Sequence, residues 1–163
     1  MKNVREYYAQ CIKNETPIFL KVMRAVPEDK AGYKPHPRST SSGDLVWLLA
    51  SELDDACTLI DRGEVNLGER PAPGVAASVA AYEKAAAALQ SRLATLDDAK
   101  WDSKARLLVG GKVLWEAPLG DMLFGFLHDA IHHRGQISSY LRPMGARVPS
   151  IYGPSADDPG ASA

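Results

Sequence analysis

The sequence predicts an all-α chain: an up-down-up-down four-helix bundle with a small β-hairpin inserted before the fourth helix. Three observations carry this. Apolar residues recur at three- and four-residue steps in four separate stretches, prolines and glycines punctuate the gaps, and one glycine pair divides two short β-prone runs. The 163 residues suit one hydrophobic core. The domain is expected over residues 1–153, with 154–163 an extended or disordered tail.

The first helix follows from Val4, Tyr8, Cys11, Ile12, Phe19, Val22 and Val26, with Pro17 a kink and Pro27 the stop. Two prolines and a glycine make the Ala31 to Arg38 segment a crossover loop, and His36 an ordinary loop histidine. Ser41-Ser-Gly-Asp44 offers a capping start for a second helix through about Ile60, ended near Gly63. After the loop Gly68 to Gly74, a seam of Val79, Tyr82, Ala86, Leu89, Leu93 and Leu96 marks the third helix. Ala105 to Trp115 reads as a hairpin turning at Gly110-Gly111. Pro118 opens the fourth helix, which runs to about Leu141, before Pro143 and Gly145. Trp47, Trp101 and Trp115 are expected to pack the bundle and its hairpin, and Gly135 to permit close helix packing.

Composition removes several function classes. A net charge of −1 with scattered basic residues lacks the electrostatic footprint of a nucleic-acid binder. The first residues form an amphipathic pattern without an apolar signal core, and no apolar run approaches the roughly 18 residues of a membrane span. A cytoplasmic protein with no nucleic-acid or membrane partner is expected. Cys11 and Cys57 fall at helical core positions without metal or redox spacing, and read as reduced thiols.

Three of the four histidines crowd into the fourth helix as His128, His132 and His133, with Asp129 among them. Imidazole is a common metal ligand and a general acid or base near neutral pH. With Leu123 of the apolar stripe as zero and about 100° per residue, His133 lies about 80° away and Asp129 about 120°, while His128 and His132 lie near 140° and 180°. Asp129 and His133 are therefore the pair nearest the interior. Glu52 falls almost at the centre of the second helix's stripe, and Glu15 on that of the first. A buried carboxylate needs a partner, by ion pairing, hydrogen bonding or metal binding. Glu15, Glu52 and the Asp129/His133 pair sit at comparable depth in a bundle, the usual way for helices to assemble a metal site. Such a donor set suits manganese, iron, nickel or zinc. Three readings stay open: a metal at these residues, a metal-free hydrogen-bonded network, or use of the outer His128/His132 pair. Gln136 and Tyr140 are candidates to orient the ligands. Arg134 could bind a substrate carboxylate or a thiol cofactor, or form an ion pair.

The segment His128-Asp-Ala-Ile-His-His-Arg-Gly-Gln136, continued by Tyr140-Leu-Arg-Pro-Met-Gly145 and Val148-Pro-Ser-Ile-Tyr152, resembles the DinB family, including its YfiT-type members. Val26-Pro-Glu-Asp-Lys30, Tyr33-Lys-Pro-His-Pro37 and Ser42-Gly-Asp-Leu-Val-Trp47 extend the likeness upstream. The resemblance implies a homodimeric four-helix bundle with a divalent metal between the second and fourth helices. It further implies a small-molecule substrate and, in some relatives, metal-dependent S-transfer from a low-molecular-weight thiol, or isomerase or hydrolase-type chemistry. The family's triad is one histidine of the second helix and two of the fourth, four apart, the later one preceding Arg-Gly-Gln. His133 matches that later position; Asp129 stands at the earlier one and Leu48 at the second-helix one. Glu52, one turn beyond Leu48, can replace the missing ligand. The alternative is a dimeric, stress-associated bundle with a vestigial, metal-free polar site.

Overall fold

The computed structural model describes residues 3–160. Helix α1, Val4–Arg24, starts at a capping box in which the Asn3 side chain accepts from the Glu6 amide at 2.8 Å and the Glu6 carboxylate accepts from the Asn3 amide. It buries Tyr8, Ile12, Phe19, Val22 and Met23. A 3-10 turn, Glu28–Lys30, leads through the crossover loop to helix α2, Ser42–Arg62. Ser41 caps α2, and Gly63 ends it at φ 72°, a left-handed conformation glycine adopts without a Cβ penalty.

Strand β1, Glu64–Leu67, follows immediately. Helix α3 spans Val75–Thr95, a one-turn helix α4 spans Asp98–Trp101, and strands β2, Lys104–Val109, and β3, Lys112–Pro118, form the hairpin. Gly110 and Gly111 both turn at positive φ, the requirement of a tight two-residue hairpin turn. Helix α5, Leu119–Leu141, starts at Pro118.

The fold is mostly helical. Helix α1 packs on α3 and α5, and α2 packs on the same two, so the four long helices enclose the core. The all-α expectation is corrected by a three-stranded sheet of order β1-β2-β3. The hairpin gains β1 as a parallel partner, with Val65 opposite Leu107, and Leu107 in turn faces Trp115 across the antiparallel pair. Four residues are too few to display a strand period, and β1 is fixed by a partner about 40 residues away in sequence, which local patterning does not register. The sheet lies against α2 and α5.

Glycine contacts also differ from expectation. Among the described residues nothing lies where a Cβ at Gly135 would go, whereas one at Gly120 would overlap the Trp101 ring, and one at Gly125 would stand 2.8 Å from Trp115. After α5 the chain returns along the bundle. Asp157 accepts from the Val148 amide and pairs with Arg142, while Asp158 accepts from the Ser150 amide and pairs with Lys21 of α1. These bonds hold both carboxyls below the usual carboxylate range. Residues 161–163 of the expected tail lie outside the described residues.

Candidate metal centre

Helix α2 presents Glu52 to α5, where Asp129 and His133 are one turn apart. Each of the three offers one ligand atom, and these atoms lie within 4.8 Å of one another. His133 Nε2 is 3.2 Å from Asp129 Oδ2, and His133 Nδ1 is 2.7 Å from Gln136 Oε1. With Gln136 Oε1 accepting from Nδ1–H, a neutral ring leaves its Nε2 lone pair facing Asp129, whereas a protonated ring pairs with that carboxylate. Gln136 thus orients the imidazole as an outer partner orients a ligand.

Glu52 is 9% exposed, and its Oε2 has no hydrogen-bond partner among the described residues. Burial above all, then the adjacent Asp129 carboxyl, then Asp55, push the Glu52 carboxyl up to about 9. Two carboxyl groups this close need a proton or a cation between them. Asp129 is open on the other side, its side chain 54% exposed against 18% for His133. That opening is a cavity of about 300 Å³ with Glu52 and Asp129 in its wall and Leu48, Leu67, Leu107, Trp115 and Phe126 around them.

The other candidates lie elsewhere. Glu15 shares the lining of a second, small cavity with Glu52, but its two oxygens are taken by Arg134 and the Tyr152 hydroxyl. His128 is exposed, its ring 6.0 Å from that of Phe124. His132 is exposed beside the His133 ring and outside the three-residue group. Tyr140 is buried and packs edge-on against Tyr33. Arg134 is the fully buried member of the histidine run, stacked over Phe19 at 4.6 Å and Tyr152 at 4.9 Å. The same 100° rotation places it about 20° from Leu123, so its burial was available from sequence, whereas Asp129 is less interior than its phase implied. Asp55, one turn after Glu52, and Arg70 also line the cavity and were not anticipated. Asp55 shares the phase signal of Glu52; Arg70 sits in an aperiodic loop and has none.

A model of the DinB family matches residues 69–160, more than half of the chain. The chain belongs to the DinB family. The matched span includes Asp129 and His133 and leaves Glu52 outside it. Two crystal structures of DinB-like proteins share the fold. That from Bacillus cereus is 19% identical with a TM-score of 0.73, over 90% of this chain and 97% of the other. That from Bacillus subtilis is 17% identical with a TM-score of 0.68, over 85% and 92%. No curated protein matches the chain. Among the described residues, no helix is long and apolar enough to cross a membrane.

Proposed function

We propose that this DinB-family chain is a divalent-metal protein whose ion is held by Glu52, Asp129 and His133 and whose free coordination side faces the cavity. The observation that carries this reading is the buried Glu52 carboxylate, whose Oε2 has no hydrogen-bond partner among the described residues and which offers a ligand atom within 4.8 Å of those of a second carboxyl group and an imidazole. Burying such a group without a partner costs several kcal/mol, by order of magnitude, and a cation removes the cost. Two oxygen donors and one nitrogen suit zinc, manganese, iron or nickel. Three protein ligands with an open side are the pattern of catalytic rather than structural sites. When bound, the ion would supply Lewis acidity, lowering the pKa of a water or thiol. Gln136 would fix the His133 tautomer, and Asp129, at the cavity wall, would be the ligand nearest an incoming molecule.

On this reading the protein is a metal-dependent transferase or hydrolase, with a low-molecular-weight thiol as one candidate co-substrate, and works as a homodimer of up-down-up-down bundles. A second reading rests on the raised Glu52 carboxyl: a shared proton in place of the ion, in a non-catalytic bundle. Metal analysis separates them. Purified protein stripped with chelator and reloaded with zinc, manganese, iron or nickel is expected to retain about one ion per chain, and Glu52→Ala or His133→Ala to lose at least about ten-fold in affinity. Wild-type protein with no metal above background would exclude the metal reading.

A further inference from the structure

We propose that the cavity beside Glu52 and Asp129 takes a small molecule with an apolar body and a single carboxylate, and that the carboxylate docks on Arg70. This names the ligand class of the proposed metal site and rests on that reading, because the ion offsets the negative charge of Glu52 and Asp129 that would repel an anion.

The argument begins with the wall. Leu48, Leu67, Leu107, Trp115 and Phe126 make it largely apolar, and its volume of about 300 Å³ is at the small end for ligand pockets. Arg70 is the cation that lines it among the described residues. Its position is fixed twice. The Arg70 carbonyl accepts from Trp47 Nε1 at 2.8 Å, anchoring the loop to α2, and Arg70 Nη2 donates to Asp55 Oδ1. Nη1 is 3.9 Å from Asp54, too far for a hydrogen bond, so the guanidinium retains hydrogens to donate.

A planar guanidinium held in place by a carboxylate is arranged to bind a second planar monoanion through paired hydrogen bonds. A dianion such as a phosphate monoester is disfavoured because Asp54 and Asp55 flank Arg70, and the lining offers no second cationic side chain among the described residues. In metal-loaded protein an amine would meet two positive charges, the ion and Arg70, and is disfavoured.

The test is calorimetric titration of zinc-loaded protein with 3-phenylpropionate and with its near-isosteric amine, 3-phenylpropylamine. Metal content is measured on the same samples. The acid is expected to bind at least about ten-fold more tightly than the amine, a difference of about 1.4 kcal/mol. Arg70→Gln should abolish the preference with zinc occupancy unchanged. Arg70→Lys keeps Asp55 paired and should weaken the acid several-fold, so the question stays decidable if the glutamine variant does not fold. Arg106→Gln, whose guanidinium pairs with Glu64 on the exposed part of the sheet, should change nothing. Failure to take up zinc would overturn the metal reading and, with the charge of Glu52 and Asp129 then unopposed, the carboxylate proposal with it, whereas loss of the acid preference in protein that holds zinc would overturn the ligand class alone. An amine bound as tightly as the acid, acid binding indifferent to Arg70, or no binding of either would overturn the proposal.

Discussion

Gly120 has no side chain because Trp101 fills the space where a Cβ would go. That indole is buried, with ring centroids 5.6 Å from Tyr8 and 6.2 Å from Phe124, so it cannot retreat without disturbing an aromatic cluster that joins α1 to α5. Overpacking of a filled core costs about 1–3 kcal/mol, against a gain of up to about 1 kcal/mol in helix propensity on replacing glycine by alanine. Gly120→Ala is therefore expected to destabilise, and Gly135→Ala, which meets open space inside the same helix, to stabilise by about 0.4–1 kcal/mol. Urea unfolding measures both, and shifts of the same sign would contradict this account. The two glycines look alike in sequence, because what separates them is a tryptophan from another element. The polar residues divide differently. Glu52, Asp129 and His133 could be grouped from helical phase because each sits on a regular helix, and the structure brings their ligand atoms together. Glu15 had the same kind of signal but found Arg134, since phase reports which way a residue faces and not which neighbour meets it.

At the scale of elements, the four long helices were legible because their apolar periods repeat over 21 to 23 residues. Contacts made between distant segments were not. Helix α3 begins at Gly74, which has no side chain to cap the free amides of the first turn. Glu28, in the 3-10 turn, supplies the cap: its two oxygens accept from the Val75 and Ala76 amides at 3.0 and 3.1 Å. Its charge also lies at the positive end of the α3 dipole. Glu28→Ala is expected to cost about 0.5–2 kcal/mol, and Glu28→Gln less, because an amide oxygen can still accept. Hydrogen exchange should accelerate first at the α3 start; unchanged protection there, with unchanged stability, would show that the cap carries no weight. Local propensity could not reveal this bond, nor β1, since each joins segments about 40 or more residues apart.

At the scale of the whole molecule, a carboxyl held up to about 9 makes stability depend on pH. In the unfolded chain Glu52 titrates near its ordinary value of 4.5, and in the metal-free native state near 9. Between those values the native state holds a proton that the unfolded state has released, so rising pH favours unfolding. The contribution is complete below about pH 4.5 and is lost progressively toward pH 9, with a limiting slope of about 1.4 kcal/mol per pH unit. Asp55, raised mainly by burial, adds in the same direction. Asp61, Asp157 and Asp158 are held low by their partners and act in the opposite sense, their contribution being present above the ordinary carboxylate range and lost below it. The two effects occupy different pH windows. Metal-free protein should thus be most stable near the ordinary carboxylate pKa and weaken toward alkaline pH, while Glu52→Gln, which cannot ionise, should flatten most of that decline. A bound divalent ion takes the proton's place and binds better as ligands lose protons, so metal-loaded protein should lose the decline or reverse it. Urea midpoints from about pH 5 to 9, with chelator and with zinc, measure all three curves. A metal-free wild type as flat as Glu52→Gln would mean that the Glu52 carboxyl is not the group that couples this fold to protons.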